Sequence, residues 1–433
     1  MNQNSNIEFI SRESLEKLQL SRLKETLRRV YSFSPFYKNL FKKEGLTPSK
    51  IKSLKDLPLI PFTTRKDLRE NFPYGLLSIP LNDVVRLHTS TGTTGKPKAV
   101  FFSRNDINSS AELIARSMKM TGAEKGDVFQ NMMGYGLFTG GLISHYGAER
   151  LGLLVIPAGA GNTERQIELM FDFKTTVVHI TPSYALYLAD VMEEKGFNPK
   201  KDFNLRILYL GAEPYSEKTR EKIERIFTVD AYNSYGLSEM NGPGVAFECK
   251  YKEGMHLWED NFIMEIVDPS TGEPLKEGEE GELVLTSINK EAMPIIRYRT
   301  GDLTYIYPEK CNCSRVHRRI SRIKGRADDM LIIRGVNVFP SEVERILMDL
   351  PEVGRNYQIV LDRKKDLDKM KVRVEIKRDF FDGSLDHLKK VEIKIKAKLK
   401  DELMVTPEIE LLEPSSLPRT TGKAKRIIDK REI

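Results

Sequence analysis

Between residues 84 and 210 short apolar runs alternate with stretches of helical spacing, and this alternation limits the fold more than any other feature. Val177-Val178-His179-Ile180 and Ile207-Leu208-Tyr209-Leu210 are apolar almost throughout. A strand with one wet face alternates polar and apolar residues. These runs therefore predict strands covered on both faces, in a parallel sheet with helices on each side. Spacing predicts an amphipathic helix over 11–30, with Leu15, Leu18, Leu23, Leu27 and Val30 near one face, and another over 216–227. Residues 262–267 and 281–288 read as strands separated by Gly/Pro/Glu turns, a more β-rich region. The expected class is α/β.

A second unit begins near Gly325. Residues 330–334 read as a strand, Ser341-Glu342-Val343-Glu344 as a capping box opening a helix, and 371–377 alternate with Val372, Val374 and Ile376 on one side. The lysine-dense run 389–400 reads as a solvated helix face, with Val391, Ile393 and Ile395 in alternation. A chain of 433 residues holds two or more domains. The boundaries expected are 1–327 for a large N-terminal domain and 328–433 for a small α+β C-terminal one.

The segment Leu87-His88-Thr89-Ser90-Thr91-Gly92-Thr93-Thr94-Gly95-Lys96-Pro97-Lys98 concentrates hydroxyls, glycines and lysines. Glycines let successive N–H groups converge, and hydroxyl and ammonium groups add donors, a composition suited to a polyphosphate. A polar turn is the plainer reading of the loop alone. It is not a Walker A loop, because Ser90 stands where the first glycine belongs and Pro97 follows Lys96. Gly134, Gly136 and Gly140 have the wrong spacing for a dinucleotide fingerprint, and no acid follows about twenty residues on.

The net charge of +7 comes from 69 basic and 62 acidic residues interspersed along the chain. Without an aromatic stacking platform or a nucleic-acid module, no nucleic-acid partner is expected, and anionic substrates account for the excess equally well. No apolar run approaches a membrane span, so no membrane partner is expected. The polar N-terminus lacks an h-region, and a cytoplasmic protein is expected.

Cys249, His256, Cys311 and Cys313 include all three cysteines of the chain. Cys-x6-His followed by Cys-x-Cys supplies the four ligands of a closed tetrahedral zinc site. Buried reduced thiols and a redox role are the alternatives, and His317 is a substitute ligand if His256 points elsewhere. Tyr235-Gly236-Leu237-Ser238-Glu239 puts a carboxylate beside a flexible turn, where a magnesium ion on ATP would find an oxygen ligand. Arg297-Tyr298-Arg299-Thr300-Gly301-Asp302 offers an Asp able to accept from two ribose hydroxyls, and Gly422-Lys423 lies in a Pro/Gly/Thr stretch.

In this order and spacing the motifs resemble the adenylate-forming superfamily of acyl-CoA synthetases, luciferases and peptide-synthetase adenylation domains. Within it the chain is most similar to the phenylacetate–CoA ligase family. The similarity runs through Ser34-Pro35-Phe36-Tyr37, Pro61-Phe62-Thr63-Thr64, Tyr135-Gly136-Leu137-Phe138-Thr139-Gly140-Gly141, Thr181-Pro182-Ser183-Tyr184, Gly211-Ala212-Glu213-Pro214, Gly242-Pro243-Gly244-Val245, Lys290-Glu291-Ala292-Met293-Pro294 and the segment 328–340.

The resemblance implies a large adenylate-forming domain with a small mobile C-terminal lid, and a two-step reaction. A carboxylate attacks the α-phosphorus of ATP to give acyl-AMP and pyrophosphate, and coenzyme A then displaces AMP. It implies that Thr89, Ser90, Thr91, Gly92, Thr93, Thr94, Gly95 and Lys96 cradle phosphates. Catalytic Glu239 would hold Mg2+. Gly211, Ala212, Glu213, Pro214, Tyr235, Gly236 and Ser238 would line the nucleotide site, with Asp302 and Arg326 beside the ribose. Catalytic Lys423 would bridge the carboxylate and the α-phosphate. Asp328 matches the hinge, and Arg334 and Gly335 the loop facing CoA in the second step. Tyr135, Gly136, Phe138 and Gly141 would wall an acyl pocket suited to an aryl or arylalkyl acid; core packing is an equal reading of Phe138. Some relatives carry Cys-x-Cys-Gly-Arg where this chain has Ser314, and others lack the cysteines. A homodimer is compatible with the resemblance. The competing readings are adenylation for another acceptor (a carrier-protein thiol, or nucleotidyl transfer to a deazaflavin cofactor) and a non-catalytic nucleotide- or nucleic-acid-binding protein on this fold.

Overall fold

The computed structural model describes residues 7–89, 98–327, 329–333, 336–364, 367–381, 384–418 and 424–431. The expected buried strands form the centre of an eight-stranded sheet. In spatial order it runs Arg319–Ile320, Met255–Leu257, Gly242–Glu248, Asp230–Leu237, Ile207–Gly211, Val177–Ile180, Val128–Asn131 and Leu154–Ile156. The last five pair in parallel and the first four antiparallel, so the sheet changes character at Asp230–Leu237. Val177–Ile180 and Ile207–Gly211 are buried at every position, because helices cover both faces. A four-stranded antiparallel sheet, Phe262–Val267, Gly281–Ser287, Tyr298–Thr304 and Gly325–Arg326, makes up the β-rich region.

The N-terminal helix is Arg12–Phe33, with Leu15, Leu23, Leu27 and Val30 buried and Leu18 half-buried, as the spacing predicts. Glu217–Phe227 follows its N-cap Ser216. From Leu331 onward a separate hydrophobic cluster forms. Its four-stranded sheet is ordered Glu408–Leu412, Leu367–Ile376, Val353–Lys364, Ile427–Asp429, backed by helices Pro340–Met348 and Leu385–Leu403.

Two local expectations are corrected. The helix expected from a box at Ser341 and Glu344 starts at Pro340, a residue preorganised for the first helical position. Glu342, not Glu344, therefore reaches back to the N-cap, accepting from the Phe339 N–H at 3.1 Å. Ser341 Oγ donates to the Lys324 carbonyl, and Glu344 is left to cross to the large domain. Lys389, Lys390, Lys394, Lys396 and Lys400 are exposed on a helix, the solvated face expected, but the apolar alternation is corrected: Val391, Ile395, Leu399 and Leu403 make a buried i, i+4 stripe, while Ile393 is exposed.

Candidate active site

Hairpin strands Arg86–Thr89 and Ala99–Phe102 bring Thr89 opposite Ala99, so the ends of the hydroxyl-rich loop are clamped together. The Thr89 N–H donates to the Leu137 carbonyl at 3.0 Å, tying this clamp to the Tyr135–Phe138 segment. Ser90, Thr91, Gly92, Thr93, Thr94, Gly95 and Lys96 lie outside the described residues.

Lys98, at the loop's far end, donates to Glu239 Oε1. Glu239 is buried, and Tyr298 Oη donates to the same oxygen at 3.1 Å. Burial pushes the carboxyl up, but the Lys98 charge and hydrogen bond outweigh it and hold it below its ordinary value. Buried Lys290 donates to the Glu239 carbonyl at 3.0 Å and sits 4.5 Å above the Phe102 ring; burial lowers its ammonium to about 8. The turn itself demands a glycine at 236, since an added Cβ would lie 2.3 Å from the Gly242 carbonyl oxygen. Ser238 Oγ pairs with Thr139 Oγ1 at 3.0 Å.

Tyr298 and Asp302 come from the same strand, whose register shifts between them. Asp302 accepts from Tyr235 Oη at 2.6 Å on one oxygen and from Arg326 at 2.9 Å on the other. Burial, then the facing carboxylate, drives the Tyr235 phenol well above its usual range, so it stays a donor. Three residues separated by long stretches of sequence thus form one buried polar cluster.

Gly211 closes its strand against Ser234, whose Oγ would lie 2.5 Å from an added Cβ. Ala212 follows in the left-handed region at φ 70°, strain of the kind that marks functional turns. Glu213 then bridges two parts of the molecule. One oxygen accepts the Ser183 N–H at 2.7 Å; the other accepts the N–H of Ala424, in the C-terminal part, at 3.0 Å. Burial raises this carboxyl above its usual value despite both hydrogen bonds. Lys423 lies outside the described residues, as do Asp328, Arg334 and Gly335, but its covalent neighbour Ala424 is held at the Gly211–Pro214 turn.

Tyr135 Oη accepts from Asn131 Nδ2 at 3.0 Å and pairs with His145 Nδ1 at 3.1 Å, and His145 pairs with Glu149. Burial pushes the Tyr135 phenol up to about 12. Gly141 cannot carry a Cβ, which would sit 2.4 Å from the Gly134 carbonyl oxygen, and Gly136 adopts φ 82°. Phe138 is half-buried and packs over Gly140, where an added Cβ would meet its ring at 2.3 Å.

The ligand atoms of Cys249, His256, Cys311 and Cys313 all lie within 4.8 Å of one another. Cys249 Sγ is 3.6 Å from Cys311 Sγ, and Cys313 Sγ is 3.2 Å from His256 Nε2. Zn–S bonds of ~2.3 Å in a tetrahedron separate sulfurs by about 3.8 Å, so the quartet fits a zinc ion. His256 Nδ1 lies 2.8 Å from the His317 carbonyl, to which only a protonated nitrogen can donate; the Nε2 lone pair then faces the thiols. His256 points at the thiols, so the condition under which His317 would substitute for it is not met. The His317 carbonyl orients His256, and its ring accepts the Glu259 N–H at 3.2 Å.

Lys98, Lys290 and Tyr298 were not singled out from the sequence as partners of Glu239. Lys98 is two residues beyond the lysine assigned to the loop, and only the three-dimensional pairing shows which lysine reaches the carboxylate.

Most of the chain matches two family models. Residues 23–289 match the AMP-binding enzyme model and residues 335–431 the AMP-binding enzyme C-terminal domain. The chain belongs to the AMP-binding enzyme family, whose members form adenylates. Within it, the chain is 46% identical to a phenylacetate-coenzyme A ligase of Thermus thermophilus over 98% of this chain and 99% of that protein. It is 44% identical to one of Pseudomonas putida, over 98% and 96% respectively. Among solved structures, 2-hydroxyisobutyryl-CoA ligase in the postadenylation state with R3-HIB-AMP superposes with TM-score 0.94 at 29% identity, covering 99% of this chain and 92% of that one. The same ligase with 2-HIB-AMP and CoA in the thioesterification state gives 0.73 at 30% identity and the same coverage. The chain as a whole superposes better on that ligase's postadenylation structure than on its thioesterification structure.

Proposed function

We propose that the chain is an AMP-forming ligase that joins an aryl or arylalkyl acid, phenylacetate foremost, to coenzyme A. The observation that carries this reading is the docking of Ala424 on Glu213. It puts the backbone beside Lys423 at the turn assigned to adenine, in a chain whose relatives are phenylacetate-coenzyme A ligases. Two anions must meet in the first step, and a preorganised cation at the junction offsets their repulsion without solvent reorganisation. Lys423 is assigned that task, with the small domain, bounded at 328, delivering it. Thr89 and residues 90–96 hold the β- and γ-phosphates. Asp302, oriented by Tyr235 and Arg326, receives the ribose hydroxyls. Glu239 is the assigned oxygen ligand for Mg2+, which would neutralise phosphate charge when bound. Rotation about Asp328 then exchanges Lys423 for the Arg334–Gly335 loop, where CoA attacks.

The zinc assignment rests on a donor set of three thiols and one oriented imidazole. Cys249 follows the strand paired with Asp230–Leu237, and Cys311 and Cys313 precede the sheet's edge strand. A zinc ion there would staple the sheet behind the Tyr235–Glu239 turn and take no part in the reaction.

The test is pyrophosphate release across phenylacetate, hydroxyphenylacetate, indoleacetate, benzoate and short aliphatic acids, with and without CoA. Turnover is expected with phenylacetate and its ring analogues, and AMP release should require CoA. Rapid use of palmitate with none of phenylacetate rejects the pocket assignment, and AMP transfer without CoA favours another acceptor. Glu239→Gln is expected to slow adenylation by about two orders of magnitude, the scale of several kcal/mol of lost charge stabilisation. It should also raise the Mg2+ concentration needed for half-maximal rate. An unchanged Mg2+ requirement contradicts the ligand assignment.

A further inference from the structure

Helix Pro340–Met348 belongs to the small domain, and helix Glu217–Phe227 to the large one. Glu344, on the first, is buried against the start of the second. Its Oε1 accepts the Ser216 N–H at 3.0 Å and the Thr219 hydroxyl at 2.6 Å, while Tyr357 Oη donates to Oε2 at 3.3 Å. Ser216 is the N-cap residue, and its own Oγ accepts the Thr219 N–H at 3.2 Å. The cap is thus completed by a carboxylate from the other domain, placed where the helix dipole favours a negative charge.

A buried carboxylate is tolerated only with its hydrogen-bond partners in place. Two of the three donors to Glu344 lie on the large domain. Among the described residues the third, Tyr357, travels with it, so Glu344 keeps its large-domain donors in this arrangement and exchanges them for water when the domains part. The contact reciprocates the one at Glu213, where a large-domain carboxylate accepts a small-domain N–H. We propose that Glu344 is a positioning residue for acid activation: by capping the helix at Ser216 it holds the small domain in the orientation that docks Ala424, and with it Lys423, at the nucleotide turn. This rests on the ligase reading above.

The test pairs half-reaction kinetics with amide exchange. Glu344→Ala is expected to slow acid-dependent ATP–pyrophosphate exchange by about 30-fold or more, the lower end of the range for truncating one partner of a buried charged contact. Thioester formation from supplied acyl-AMP and CoA should stay within about twofold of wild type, since that step uses another domain arrangement. Glu344→Gln keeps an oxygen for Ser216 and Thr219 but loses the charge, and should show a several-fold loss in adenylation alone, smaller than that of the alanine variant. Amide exchange at 216–219 should rise in the alanine variant. Equal loss of both half-reactions, or unchanged adenylation with unchanged exchange, overturns the proposal. If the alanine variant fails to fold, the glutamine variant decides: a several-fold loss in adenylation alone supports it, and no loss or equal loss overturns it. Amide exchange is read without turnover. A wild-type protein that adenylates no acid, yet loses protection at 216–219 on Glu344→Ala, therefore rejects the ligase reading while leaving the interdomain contact standing.

Discussion

Lys423→Ala is expected to lower acyl-adenylate formation by about a thousandfold or more, while thioester formation from supplied acyl-AMP and CoA persists near the wild-type rate. The asymmetry follows from the proposed roles. In the first step the carboxylate and the α-phosphate both carry negative charge, and removing one preorganised donor to developing charge costs about 10²–10³ in rate even where others remain. Here one lysine is assigned to both anions, so its loss should fall at or beyond that range. In the second step the small domain has turned and the lysine has left. The check is ATP–pyrophosphate exchange beside a thioester assay primed with acyl-AMP. Equal loss in both contradicts the two-arrangement account.

The second large effect concerns stability. Cys311→Ser is expected to abolish the proposed zinc binding and lower the melting temperature by about 5 °C, since losing a structural metal ligand ranks among the mutations costing about 4 kcal/mol. The sheet edge that the quartet would staple also receives Glu8 and Arg12. Glu8 accepts from Arg116 and Arg315, and Arg12 and Arg318 both converge on Glu259. Loosening the 311–318 loop should therefore expose the first helix to proteolysis before the rest of the chain. Metal analysis of the wild-type protein should give one zinc per chain. Well under one zinc, with Cys311→Ser melting as wild type does, leaves the thiols as buried packing.

Much of this was legible in the sequence because it is local. The strand Val177–Ile180 announced its two covered faces by lacking polar alternation, and Ser216 marked its helix start. The thiol–imidazole quartet could be read from residue types alone, because few other arrangements use all the cysteines of a chain. What escaped was long-range or shifted by a residue or two. Lys98 meets Glu239 across 141 residues of sequence, and no periodicity encodes that pairing. The cap falls at Phe339 rather than Ser341 because Pro340 takes the first helical position. That shift hides the interdomain role of Glu344. Alternation at Val391, Ile393 and Ile395 suggested a face that the helix does not have, since its buried stripe steps by four.

The most direct measurement is a single turnover with protein in excess over ATP, supplied with Mg2+ and phenylacetate, followed by addition of CoA. Pyrophosphate should appear stoichiometrically before CoA is added, with AMP retained as the protein-bound mixed anhydride. CoA should then release AMP and thioester together. If no acid on the panel yields pyrophosphate before CoA, or if AMP leaves without any thioester being made, the activation-then-transfer account is wrong.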